Sequence, residues 1–342
     1  MRLRSMGASI GVWLLAAAGW AADSPGYHVV RKLDIGGDGG WDYLTVDSPA
    51  RRLYVTRSTR VMVLDADKGT VVGEIPDTEG VHGVAIAADL GRGFTSNGRS
   101  STVTIFDLKT LKPLGRVKST GENPDAILYD SSSHRVFAFN GRTSNATAID
   151  AKTGEVAGTI TLAGKPEFAA SDGQGRVFVN IEDKSSIAVI DSQKLVVEKT
   201  WPLAPCEEPS GMAIDRGHQR LFVGCHNKLM AVVDAGSGKV VATVPIGEGV
   251  DANGYDADLG LAFASCGDGT LTVARSDSAD KYAVAQTLST QRGARTMAID
   301  EKTHTIFLAT AQFGPPPSPT TENPHPRPSL VPGSFTVLVV SR

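Results

Sequence analysis

The chain has 342 residues, of which 41% are hydrophobic and 21% charged, ordinary values for a soluble globular protein with a sizeable core. A formal charge of -3 offers no basic stripe for nucleic acid, and 6% aromatic residues offer no base-stacking platform, so nucleic acid is not expected as a partner. The 37 glycines and 18 prolines suit many short strands joined by tight turns.

The N-terminus reads as an export signal. Arg2 and Arg4 form a basic region, Ile10 to Ala18 an apolar one, and Gly19-Trp20-Ala21 supplies small residues at a cleavage position. The apolar run is too short to span a bilayer, which takes about 20 residues. Residues 1–21 are therefore predicted to be a signal peptide, with delivery to a periplasm or the medium and no membrane span. Residues 22–342 are predicted to form one domain.

That domain reads as one repeated unit. Apolar strands ending in an acidic turn recur at Val61-Met62-Val63-Leu64-Asp65, Val103-Thr104-Ile105-Phe106-Asp107, Ala146-Thr147-Ala148-Ile149-Asp150, Ile187-Ala188-Val189-Ile190-Asp191 and Met230-Ala231-Val232-Val233-Asp234. Leu271-Thr272-Val273-Ala274-Arg275 and Val337-Leu338-Val339-Val340-Ser341 continue the series. A second column, Asp47, Ala87, Asp130, Asp172, Asp215, Asp256 and Asp300, recurs every 40 to 44 residues. Each member precedes a strand with one aromatic: Tyr54, Phe94, Phe137, Phe178, Phe222, Phe263 and Phe307. A period of about 40–45 residues holding four short strands is the mark of a propeller blade. The prediction is an all-β, seven-bladed β-propeller of four-stranded blades, with strands A to D running outward from the axis. Aspartates such as Asp150 and Asp234 are assigned to C–D turns rather than to chemistry.

The last repeat supplies only strands A, B and C before the chain stops. Its outer strand is predicted from the other end, His28 to Ile35, which closes the ring and removes exposed edges. Leu53-Tyr54-Val55-Thr56, the Asp-x-x-x-Gly turns and the blade period resemble the YVTN-type β-propellers, close to the YncE-like periplasmic proteins. The resemblance covers residues 28 to 342 and implies a seven-bladed, exported protein.

The site is sought where strands A open onto the channel. Five residues before the second column, the same place in every blade, stand Asp42, His82, Asp125, Glu167, Ser210, Asp251 and Arg295. All are polar, where a purely structural ring would favour small or apolar residues. Carboxylates converging on one axis repel one another, so a cation, shared protons or the partners His82 and Arg295 must compensate. Trp41, beside Asp42, can form an apolar wall or belong to the core, and Glu208 neighbours Ser210. The expected ligand set is thus Trp41, Asp42, His82, Asp125, Glu167, Glu208, Ser210, Asp251 and Arg295. Asp42, His82, Asp125, Glu167 and Asp251 are candidate ligands of a divalent cation, Ca²⁺ or Mn²⁺, because hard oxygens and one imidazole suit such ions. His82 and Arg295 are the candidates for catalysis. A solvated mouth held by salt bridges is the plain alternative.

Asn97, Asn140 and Glu182 fall in B–C loops on the same face. The proline-rich insertion 315–332 joins B to C of blade seven, so it is expected either over the mouth, bringing His325 and Arg327 towards the ring, or on a blade edge. Cys206 and Cys225 are the first choice for a disulfide, leaving Cys266; a soft-metal site from all three is the other option. No Gly-x-Ser-x-Gly elbow, Walker loop or His-Glu-x-x-His pattern occurs. The leading function is a monomeric binding protein that recognises a small molecule, glycan or protein at the mouth. The alternative is a metal-assisted lactonase or a lyase for an acidic sugar-like substrate.

Overall fold

Short runs with β-branched and aromatic residues, each closed by a turn, produce 28 strands in seven four-stranded antiparallel sheets among the described residues. The computed structural model describes residues 26–278, 280–318, 320, 326 and 328–342. The segment read as an export signal lies outside them, as do His325 and Arg327. Among the described residues no helix is long and apolar enough to cross a membrane.

Blade one comprises Leu44–Asp47, Arg52–Arg57, Arg60–Asp65 and Val71–Ile75, and blades two to six repeat that order. Blade seven takes Thr296–Asp300, Thr305–Thr310 and Thr336–Ser341 from one end of the chain and His28–Asp34 from the other. His28 lies opposite Ser341 and Leu33 opposite Val337, so the ring closes by antiparallel pairing of the two ends, as the sequence predicts. The structure is a seven-bladed β-propeller.

The aromatic column forms the core. Tyr54, Phe94, Phe137, Phe178, Phe222, Phe263 and Phe307 are all buried between neighbouring sheets, and each apolar cluster draws on two blades. Phe178, for example, stacks on Trp201 at 5.8 Å between ring centres. Truncating Phe178 to Ala is expected to cost about 3–5 kcal/mol, measured by denaturant unfolding. A loss below about 1 kcal/mol would contradict this packing.

The acidic column fastens blades on the far face. Tyr255 donates to Asp215 at 2.7 Å, His304 Nδ1 lies 2.7 Å from Asp256 Oδ2, Ser171 donates to Asp130 at 2.6 Å, and Arg51 pairs with Asp300 across the closure. Blade two has Ala87 in that column, and Tyr129 of blade three reaches Asp89 instead, at 2.8 Å. The C–D aspartates do cap turns: Asp150 Oδ1 accepts from the amides of Lys152 and Thr153 at 2.9 and 2.7 Å.

Candidate functional site at the channel mouth

The inner strands lose their regular register where the ring residues stand. In blades two to six the ring position is the second residue of strand A, and pairing slips there, between Val81 and Val84, Pro124 and Ile127, Pro166 and Ala169, Pro209 and Met212, and Val250 and Ala252. In blades one and seven the strands begin only at Leu44 and Thr296, past Asp42 and Arg295. Irregularities of this kind re-aim a side chain out of the ladder. Here they free the ring residues to line the mouth.

Asp42, Asp125, Glu167, Ser210, Asp251 and Arg295 line one cavity of about 460 Å³, together with Tyr43, Lys165, Glu182 and His226. An adjoining cavity of about 390 Å³ shares Asp42 and adds Trp41, His82, Arg99, Asn123 and Arg142. All seven ring residues therefore meet at the mouth. Glu208 is not among the residues lining either cavity; it lines a neighbouring one with Glu182 and pairs with His226 at 3.2 Å.

Within the ring the tightest group is Asp42, His82 and Asp125. His82 Nδ1 lies 2.6 Å from Asp42 Oδ2 and 3.5 Å from Asp125 Oδ1. One ligand atom from each residue falls within 4.8 Å of the others. Glu167 and Asp251 stand outside this cluster. Burial alone would push the His82 pKa down, but the hydrogen bond to Asp42 and the charge of Asp125 outweigh it and hold it at about 9. His82 is thus an imidazolium bridging two carboxylates.

The remaining acids are crowded. Burial, then the charge of Asp125, lifts Glu167 from 4.5 to about 7, although Lys165 Nζ lies 2.6 Å away and also pairs with Glu182. Burial lifts Asp251 from 3.8 to about 6, opposed by Arg295 at 2.8 Å and reinforced by Asp42 and Asp125. The Arg295 contact is an ion pair without hydrogen-bond alignment, since Asp251 Oδ2 is buried and accepts no aligned bond. Asp125 is likewise raised, first by burial and then by Asp42, against the pull of His82. Ser210 donates to Asp251 at 3.3 Å, and among the described residues no imidazole is hydrogen-bonded to it as a nucleophile would need.

Below the ring Tyr43 meets Phe168 edge-on at 4.4 Å and floors the mouth. Burial and then the four surrounding carboxylates keep its hydroxyl protonated. Trp41 is both wall and core: it lines the smaller cavity while packing on Phe335 at 5.3 Å and on Phe313, at the base of the insertion, at 6.4 Å. That base is held by bridges between Phe313 and Leu330. The Gly36–Gly40 loop that carries Trp41 and Asp42 is anchored by buried Arg57. Its guanidinium donates to the carbonyls of Gly36, Gly37, Asp38 and Gly39 at 3.0 to 3.2 Å and lies 3.8 Å over Phe335.

Sequence reasoning passed over Tyr43, Lys165, His226, Arg99, Arg142 and Arg57. Lys165 had a positional signal, two residues before the ring position of its blade. Asn97 and Asn140 end on the mouth face as placed, but their amides turn inward to Thr104 and Thr147, at 2.9 and 3.0 Å, and secure the B–C turns. Cys206 and Cys225 form a disulfide with 5.5 Å between their Cα atoms, which rules out a three-thiolate site. Cys266 is buried, and burial pushes its thiol up to about 12.

No family model matches the chain. No curated protein matches it either. Solved structures do. A chain of the mitotic checkpoint complex is 13% identical with a TM-score of 0.74, covering 100% of this chain and 99% of that one. U3-55K is 9% identical with a TM-score of 0.75, covering 91% and 98%. A chain of Kuenenia stuttgartiensis hydrazine synthase is 13% identical with a TM-score of 0.70, covering 87% and 96%. At such identities the likeness is one of fold, and it agrees with the seven-bladed propeller described above.

Proposed function

We infer that this chain is an exported binding protein, similar to the YVTN-type and YncE-like propellers, that holds a small polar molecule, a glycan or a peptide at the channel mouth. A divalent cation, Ca²⁺ or Mn²⁺, serves the site through Asp42, His82 and Asp125. The observation that carries the reading is the crowding of carboxylates around one axis, with Glu167 and Asp251 pushed up to about 7 and about 6. Structural needs alone do not favour such an assembly, and perturbed groups gathered in a cavity mark functional sites. Export is supported by the N-terminal pattern and by the disulfide, since disulfides persist in oxidising compartments.

In this reading the proton on His82 Nδ1 stands where the cation would, so loading releases protons. Mn²⁺ and Ca²⁺ titrated into the mature protein at pH 8 are expected to raise Tm and give a calorimetric binding isotherm. At 100 times Kd the stabilisation is about 2.7 kcal/mol. Asp42→Asn and Asp125→Asn are expected to abolish both signals. A wild-type protein silent to both ions at millimolar concentration would end the cation part of the proposal.

The His82–Asp42 pair at 2.6 Å also has the form of an acid–base couple. Hydrolysis of a lactone panel that disappears in His82→Ala would move the reading from binding to catalysis.

A further inference from the structure

The smaller cavity has a chemistry of its own. Arg99 and Arg142 both line it, and they come from the same turn in consecutive blades: Asn97-Gly98-Arg99-Ser100-Ser101 and Asn140-Gly141-Arg142-Thr143-Ser144. In each turn the asparagine is buried and doubly tied. Asn97 Nδ2 donates to Thr102 and Thr104 at 3.2 and 2.9 Å, and Asn140 Nδ2 to Asn145 and Thr147 at 2.8 and 3.0 Å. The guanidinium groups therefore project from two fixed and equivalent bases.

Glycines let these turns sit close to the ring. A Cβ on Gly98 would fall 2.6 Å from His82 Nε2 and 2.7 Å from Asn123 Oδ1. Gly80, at φ +67°, backs onto Arg99, where a Cβ would meet its amide nitrogen at 2.6 Å. The turn that carries Arg99 thereby lies close to His82, and both arginines line the same cavity as that imidazole.

Most arginines of this protein have their guanidinium engaged. Arg51, Arg176, Arg220 and Arg295 pair with carboxylates, and Arg57, Arg92 and Arg135 donate to carbonyls. The side chains of Arg99 and Arg142 are exposed, with no ion pair or hydrogen bond among the described residues. Asp42, the one carboxylate lining this cavity, is already engaged by His82. Two free guanidinium forks lining one cavity make a positive shelf beside a negative axis.

We propose that Arg99 and Arg142 form a clamp for an oxyanion, a carboxylate or phosphate carried by the ligand of the mouth. Guanidinium forks match both groups with paired hydrogen bonds. The axial carboxylates repel the same group, so the ligand is oriented: its anionic end lies on the shelf, and its hydroxyl-bearing end points to the axis. The clamp deepens the reading of the mouth as a binding site, but its residues are separate from the cation ligands.

The test uses the mature protein, calorimetric titration and three probes: inorganic phosphate, glucuronate and glucose, the last two differing by one carboxylate. Wild-type protein is expected to bind glucuronate or phosphate at least about tenfold more tightly than glucose, the tighter oxyanion naming the source. The Arg99→Ala/Arg142→Ala double variant is expected to lose that preference while keeping its Mn²⁺ response. Arg99→Lys/Arg142→Lys, which keeps charge without the fork, should recover only part of it. Equal binding of glucose and both oxyanions by wild type, or oxyanion binding unchanged in the double alanine variant, overturns the clamp. Oxyanion preference in a wild-type protein silent to both cations supports the clamp and removes only the cation reading.

Discussion

Deletion of His28–Asp34 is expected to convert the protein from a folded, soluble species into an aggregating or swapped one, with a stability loss on the order of 5 kcal/mol or more, comparable with the net stability of many whole domains. The strand supplies the entire outer edge of blade seven. Without it Thr336–Ser341, whose Val337, Leu338, Val339 and Val340 are buried, becomes an unpaired apolar edge. Such an edge is a template for another chain. The loss extends beyond the ladder. Thr336 Oγ1 would lose its acceptor on Leu33 at 3.0 Å, and Leu33 would leave the cluster that joins blades seven and one. Size-exclusion chromatography and thermal unfolding measure both consequences. A soluble monomer with the parent Tm would show that the termini do not close the ring.

The second large effect is electrostatic. Glu167 and Asp251 have folded pKa values of about 7 and about 6, above their ordinary 4.5 and 3.8. The folded state therefore holds these protons more tightly than the unfolded chain does, and folding weakens as pH rises from about 4 to 7. His82 acts in the same direction in a higher window. Its pKa, raised from 6.5 to about 9, gives stabilisation that is complete below 6.5 and lost as pH rises through about 9. Cation-free protein is thus expected to be more stable at pH 5.5 than at pH 8.5, by an amount on the order of 3 kcal/mol. The Glu167→Gln/Asp251→Asn variant should have a higher Tm than wild type at pH 8.5. Its pH dependence should be shallower, with the contributions of His82 and Asp125 retained. Parallel Tm profiles for variant and wild type between pH 5.5 and 8.5 would mean that these carboxylates are not strained by their neighbours.

Much of the site was legible because a closed repeat turns equal sequence offsets into equal places. Counting back from the acidic column found Asp42, His82, Asp125, Glu167, Ser210, Asp251 and Arg295, and all seven line the mouth. The method fails for residues that reach the mouth by another route. Arg99 and Arg142 arrive from B–C turns, Lys165 from a D–A loop, and Tyr43 from the position after the ring, where blades two and three carry Gly83 and Ala126. Glu208, by contrast, lines a neighbouring cavity, where it pairs with His226.

The amino-acid order alone determined the architecture: two columns of period near 40 to 44 residues specify blades, and the strand missing from the last repeat specifies closure by the first. Those features are local patterns of hydrophobicity and turn chemistry, which any short window of sequence displays. Only the tertiary structure decided which acids crowd one another, that His82 bridges Asp42 and Asp125, and that two arginines stand free beside them. Charge interactions depend on separation and burial in space, and for groups brought together from different blades neither quantity is written in any local segment.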